Sequence, residues 1–177
     1  SISYTYTDAN SCTSSDTAEI VVDSIPKMSI VVPQSDVCVN DVQFAMNWGS
    51  PVGGIYSGVG MISDSVFDPN SAGVRENVSI EYAYTDGNGC RGVVYDTLNV
   101  DSLTPITFGF ISDYCENALL DTLRTGSILQ GDFSYFSQKG AIINDSVYDA
   151  SIAGLGTDII SYRFKNLLGC ADTLSQS

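Results

Sequence analysis

The sequence predicts an all-β protein built of tandem units, and three observations carry that prediction. Apolar residues alternate with polar ones at period two, and no stretch follows the helical period. Turn residues interrupt the alternating runs at short intervals. Above all, the chain repeats itself. Ser1-Ile-Ser-Tyr-Thr-Tyr-Thr-Asp-Ala-Asn-Ser-Cys12 matches Ser79-Ile-Glu-Tyr-Ala-Tyr-Thr-Asp-Gly-Asn-Gly-Cys90, and Ile160-Ser-Tyr-Arg-Phe-Lys-Asn-Leu-Leu-Gly-Cys170 is a more divergent third copy.

Other landmarks keep the same order. Asp16-Thr17, Asp96-Thr97 and Asp172-Thr173 follow the three copies, and Val22-Asp23-Ser24 recurs as Val100-Asp101-Ser102. Val37-Cys38-Val-Asn40 matches Tyr114-Cys115-Glu-Asn117. Asp64-Ser-Val-Phe-Asp-Pro-Asn-Ser-Ala-Gly73 matches Asp145-Ser-Val-Tyr-Asp-Ala-Ser-Ile-Ala-Gly154. The third cysteine of the motif lies 80 residues after the second, and the second 78 after the first. These phases divide the chain into residues 1–24, the last strands of a truncated module; 25–102, a complete module; and 103–177, a second, nearly complete one. The joints Asp23-Ser-Ile-Pro26 and Asp101-Ser-Leu-Thr-Pro105 are short, and proline keeps them extended, so semi-rigid stacking is expected.

Within a module the strands read directly. Ile2, Tyr4, Tyr6 and Ile80, Tyr82, Tyr84 point one way, with polar residues between them. Val42, Phe44, Met46 and Trp48 alternate likewise, which makes Trp48 a core residue. Pro51-Val-Gly-Gly54, Asp68-Pro69-Asn70, Ala72-Gly73 and Asp86-Gly-Asn-Gly89 are turn sequences. About seven short strands in a unit of this size predict a small immunoglobulin-like β-sandwich.

Five cysteines form an odd set. Spacing within each module predicts the bonds Cys38–Cys90 and Cys115–Cys170, with Cys12 left unpaired in this fragment. Such bonds would place the protein in an oxidising compartment outside the cytoplasm. No CxxC and no histidine is present, so zinc spacing is missing.

Composition excludes several classes of function. Twenty-one acidic residues against seven basic ones give a net charge of −14. A surface this acidic repels nucleic acid and anionic membranes, so no nucleic-acid partner and no membrane insertion are expected. Without histidine the usual base for a Ser or Cys nucleophile is absent, and no catalytic residue is assigned. The acidic pairs Asp36/Asp41 and Asp64/Asp68 read as turn residues rather than glycosidase carboxylates. Gly53-Gly-Ile-Tyr-Ser-Gly-Val-Gly60 lacks the lysine and helix of a phosphate loop. No cofactor is expected; a weak calcium reading rests on Asp86 and Asn88, whose oxygens are spaced as in some calcium loops.

Eight of the seventeen aspartates precede Ser or Thr and then an aliphatic residue. This pattern resembles the Bacteroidetes O-glycosylation sequon, and on that resemblance the acceptors are Thr17, Ser24, Ser65, Thr97, Ser102, Thr122, Ser146 and Thr173. The competing explanation is that strand entry itself favours Asp-Ser/Thr, copied by the repeat.

Cys-x-Asn-Asp, Pro-x-Gly-Gly-x-Tyr-Ser-Gly-x-Gly, Phe-Asp-Pro-x-x-Ala-Gly and Tyr-x-Tyr-Thr-Asp-Gly-Asn-Gly-Cys together resemble the Ig-like repeats of giant Bacteroidetes surface proteins. These include SprB-type gliding-motility adhesins and other type IX secretion substrates. Residues 25–102 carry every element; the third unit has Asp132-Phe-Ser-Tyr-Phe136 in place of the Tyr-Ser-Gly stretch and lacks Asp-Gly-Asn-Gly. The resemblance implies an extracellular, cell-surface location and a spacer or adhesive role. The expected function is a structural repeat of a surface adhesin or extracellular filament, self-associating with neighbouring modules or chains and contacting surface glycans. The alternative is a carbohydrate- or protein-binding module attached to a secreted enzyme, with exposed Tyr56, Tyr135 and Phe136 as its platform.

Overall fold

A computed structural model describes residues 1–109, 113–124 and 130–177. It is mostly β. The N-terminal hairpin joins β1 (Ile2–Thr7) to β2 (Thr13–Ala18). The middle segment follows with β3 (Ser29–Ile30), β4 (Asp36–Cys38), β5 (Phe44–Ala45), β6 (Gly49–Ser50), β7 (Ile55–Gly58), β8 (Met61–Ser63) and β9 (Val66–Phe67). A single helical turn, α1 (Pro69–Ala72), then leads to the long hairpin β10 (Arg75–Thr85) and β11 (Arg91–Asp101). The last segment contributes β12 (Asp121–Thr122), β13 (Gly131–Ser137), β14 (Ile142–Ile143), β15 (Val147–Tyr148), α2 (Ala150–Ala153), β16 (Ile160–Asn166) and β17 (Ala171–Gln176).

The two larger segments use one plan. In the middle segment β4-β11-β10-β7 form one sheet and β5-β9-β8 another, with β3 on β6. In the last segment β13-β16-β17 correspond to β7-β10-β11, and β12-β15-β14 to β5-β9-β8. Both one-turn helices are capped alike. Asp68 and Asp149 accept from the backbone N–H two residues on, and Gly73 and Gly154 end the turn at positive φ.

Each segment has its own core. Val37, Met46, Phe67, Ile80, Tyr82, Leu98 and Val100 are buried in the first. Tyr135, Tyr148, Ile160, Tyr162 and Phe164 are buried in the second. Each such side chain contributes about 1.5–3 kcal/mol by leaving water. Period-two alternation explains the selection: Ile80 and Tyr82 face in while Glu81 faces out to pair with Arg91 at 3.3 Å. Of the predicted run, Phe44, Met46 and Trp48 turn inward, Trp48 half-buried with its ring 6.0 Å from that of Phe44. Val42 is exposed.

A tyrosine pair recurs at both centres. Tyr56 lies opposite Tyr82 with ring centroids 4.7 Å apart, and Tyr135 opposite Tyr162 at 5.1 Å. Tyr135 therefore occupies the place of Tyr56, a match the diverged Asp132–Phe136 stretch concealed. Tyr56 and Tyr135 are buried. Only Phe136 of the expected aromatic platform is exposed, because β13 alternates.

Candidate functional site

The cysteine pairing differs from the spacing-based expectation. Cys38 is bonded to Cys170, 132 residues away, with their Cα atoms 5.4 Å apart. Cys90 and Cys115 carry free thiols, as does Cys12. The reason lies in strand direction. β4 runs parallel to the end of β11, placing Cys38 opposite Asp101, with the Val39 N–H on the Asp101 carbonyl at 3.0 Å. Cys90 sits just before Arg91, where β11 begins. The ten residue-to-residue steps from Arg91 to Asp101 span roughly 33 Å at the usual strand rise. A bond requires Cα atoms within about 7 Å, so Cys38–Cys90 is out of reach. Cys170 holds the corresponding hairpin-tip position before β17, and its sulfur is taken by Cys38, not Cys115.

The bond thus crosses from one segment to the next, and two hydrogen bonds flank it. The Asn40 side-chain amide donates to the Ala171 carbonyl at 3.1 Å. The Asn166 amide donates to the Ser102 carbonyl at 3.2 Å. Ser102 belongs to the joint itself. None of Asn40, Asn166 or Ala171 stood out in the sequence as a contact residue. Asn40 was visible only as the repeated Asn two places after a cysteine.

The hairpin tip is built the same way in all three copies. Asp8, Asp86 and Asn166 each accept, through Oδ1, the N–H groups two and four residues on. The fourth residue, Ser11, Gly89 or Gly169, adopts positive φ. The first position needs only an acceptor oxygen, so Asn replaces Asp without loss. This accounts for the motif that suggested calcium: Asp86 Oδ1 is taken up by the Asn88 and Cys90 amides, while Asn88 lies exposed. Among the described residues no group of three or more His, Cys, Asp or Glu is placed to hold a metal ion.

The expected glycan acceptors lie at the surface. Thr17, Ser24, Ser65, Thr97, Ser102, Thr122 and Thr173 are exposed, and Ser146 is half-buried. The preceding aspartates also have local roles. Asp16, Asp96 and Asp172 each accept the N–H of the following Thr, and Asp96 also accepts that of Val32.

Other polar constellations resolve into turns. Asp41 accepts the Cys38 N–H, and Ser35 and Asn99 hydrogen bonds hold Asp36 below the usual carboxylate range. Ser137 Oγ donates to Asp158 while accepting the amides of Lys139 and Ala141, so it brackets a turn. A cavity of about 490 Å³ beside it is lined by Tyr114, Glu116, Tyr148, Asp158, Gln176 and Ser177. Burial is the main cause that pushes the Tyr114 hydroxyl up to about 12, helped by its hydrogen bond to Asp121 and that carboxylate's charge. Asp101 Oδ2, beside the Cys38 joint, is buried without a hydrogen-bond partner among the described residues. Desolvation, with Asp36 and Glu76 nearby, raises its pKa.

Among the described residues no helix is long and apolar enough to cross a membrane. No family model, curated protein or solved structure matches the chain.

Proposed function

We propose that the chain is a non-catalytic structural repeat of a cell-surface adhesin or extracellular filament, a braced spacer of immunoglobulin-like modules. The observation that carries this reading is the Cys38–Cys170 bond, which ties two separately cored segments together across a short proline joint. A binding domain has no need of a covalent brace at that place, whereas a stalk that must transmit reach and force does.

The sheet order supports the immunoglobulin-like assignment. β3 with β6 and β5-β9-β8 follow the A-B-E-D order, and β7-β10-β11 the C-F-G order, of such sandwiches. Disulfides persist outside reducing compartments, in keeping with an extracellular location. The exposure of seven Asp-Ser/Thr acceptors supports glycosylation, and the motif set supports kinship with the SprB-type repeats. The rival carbohydrate-binding reading rested on an aromatic platform, of which Tyr56 and Tyr135 are buried.

Small-angle X-ray scattering with and without reductant tests the spacer reading. The oxidised chain should behave as one elongated rigid particle, and reduction should loosen it into two jointed bodies. Identical, flexible profiles in both states would overturn the reading.

A further inference from the structure

The two larger segments share a strand plan, yet the outward faces of their main sheets differ in charge. In the last segment Tyr135, Tyr162 and Phe164 point into the core. Alternation therefore turns Asp132, Ser134 and Phe136 of β13, and Ser161, Arg163 and Lys165 of β16, outward. Strand pairing sets them in three rungs: Phe136–Ser161–Ser175, Ser134–Arg163–Thr173 and Asp132–Lys165–Ala171. The corresponding rungs of the middle segment are Ser57–Glu81–Tyr95 and Ile55–Ala83–Val93, followed by Thr85 opposite Arg91.

In the middle segment the cation is neutralised. Arg91 meets Glu81 at 3.3 Å, and the Tyr95 hydroxyl donates to the other oxygen of that carboxylate at 3.0 Å. In the last segment Ser161 stands where Glu81 stands, Arg163 where Ala83 stands and Lys165 where Thr85 stands. The face has lost its neutralising carboxylate and gained a second cation. Arg163 and Lys165 are exposed, and among the described residues neither side chain has an ion-pair or hydrogen-bond partner. Asp132, opposite Lys165, is the one carboxylate in these rungs. A chain of net −14 thus holds two of its seven cations unpaired on one sheet face. They stand two residues apart on β16, roughly 7 Å at the usual strand rise.

We propose that the outward face of β13-β16-β17 binds a polyuronate, an acidic saccharide with one carboxylate on each sugar ring. Charge complementarity selects an anion: Arg163 can hold one carboxylate through two parallel N–H bonds, and Lys165 a second as a point charge. The groups around them select a saccharide. Ser134, Ser161, Thr173 and Ser175 are hydroxyls that both donate and accept, as sugar hydroxyls require. Phe136, 50% exposed and one rung from Arg163, offers its ring to the apolar face of a pyranose. An acidic peptide would seek backbone pairing at the sheet edge. That edge is already engaged at β13, where the Tyr135 N–H donates to the Asp145 carbonyl at 3.1 Å. The acidity of the whole chain does not cancel the attraction. At physiological salt charges are screened beyond about 8 Å, so a bound carboxylate feels the adjacent cations far more than distant acids. Asp132 keeps a single face weak, and a polymer that meets several copies gains by avidity.

The inference goes beyond the spacer reading and fails separately from it. The oxidised chain is titrated with an oligogalacturonate, an uncharged glucan oligomer and an oligoglutamate, at physiological and at high salt, and followed by backbone amide NMR. The expected result is saturable binding of the oligogalacturonate, with shifts clustered on residues 132–136, 161–165 and 173–175. Binding should weaken at high salt, and the glucan should not bind. Arg163→Gln combined with Lys165→Gln should weaken binding about tenfold or more. Ser161→Glu, which restores the carboxylate of the middle segment, should weaken it comparably. Phe136→Ala should weaken it to a smaller extent, and Arg91→Gln should leave it unchanged. The same spectra show that each variant is folded. Absence of saturable shifts, or binding that survives the Arg163 and Lys165 changes, overturns the site. Oligoglutamate that binds as tightly, without sensitivity to Phe136→Ala, assigns the face to an acidic protein and overturns the saccharide. None of these results bears on the Cys38–Cys170 brace, on which the spacer reading stands.

Discussion

At the scale of single residues, two tyrosines show how the fold spends its polar atoms. Tyr82 is buried, yet its hydroxyl donates to the Pro51 carbonyl and accepts the Gly54 N–H at 2.8 Å. It ties the Pro51–Gly54 turn to the long hairpin. Tyr82→Phe removes one atom and strands both turn groups, so a loss of about 1–3 kcal/mol in chemical denaturation is expected. Tyr114 offers a pH test. Its folded pKa lies near 12, above the ordinary value of 10.0. The fold therefore favours the neutral phenol, and the stability it lends is complete below the ordinary pKa and lost as pH rises through about 12. Tyrosinate absorbance should show a late-ionising component that Tyr114→Phe reduces, the remainder coming from Tyr95 and Tyr148, whose hydroxyls are also shifted up. The same scale shows why the sequence misled on aromatics. Tyr56 and Tyr135 lie among glycines and serines, which reads as an exposed turn, and only strand pairing reveals that both rings face inward.

At the scale of elements, the hairpins carry most of the information that was legible in advance. The tip motif, the alternation of Ile80, Tyr82 and Tyr84, and the Asp-capped turns could all be read locally, because each depends on neighbours within a few residues. Glycines fix how closely elements approach. A Cβ at Gly49 would lie 2.4 Å from the Tyr82 ring, whereas one at Gly87 would meet nothing within 4 Å. Gly49→Ala should therefore cost about 1–3 kcal/mol, and Gly87→Ala should stay within about 0.5 kcal/mol of the parent. Thermal or urea unfolding separates the two. The N-terminal hairpin is the exception among elements. Ile2 and Tyr4 are 57% and 68% exposed, while their counterparts Ile80 and Tyr82 are at 0% and 1%. The same strand sequence is thus half a core in one place and an open face in another. No local pattern could have told them apart, since the difference lies in what covers the face.

At the scale of the whole molecule, the cysteines mark where local reading ends. Spacing within a repeat suggested bonds inside each module, because two cysteines per period invite pairing. What decides the matter is the direction of β4 against β11, which sends Cys38 to the joint and Cys90 to the far end. That is long-range topology and leaves no trace in the spacing. The two elements of the bond lie on different segments, so its removal should be felt as a change in how the segments cohere. On the chain-entropy model a loop of 132 residues is worth about 5 kcal/mol. Cys38→Ser should approach that loss and separate the unfolding of the two segments, whereas Cys90→Ser should leave a single transition near the parent's. The charge adds a second property at this scale. At a net −14, with one ion pair among the described residues, the chain repels its own kind at low salt. Association of copies should therefore strengthen as salt rises.

The brace between the two segments depends on which cysteine partners Cys38. Non-reducing peptide mapping of the oxidised monomer by mass spectrometry reads this without further assumption. The expected product is a cross-linked peptide pair containing Cys38 and Cys170, with Cys12, Cys90 and Cys115 open to alkylation. Pairs containing Cys38 with Cys90, and Cys115 with Cys170, would contradict it and return each bond to the inside of its own module.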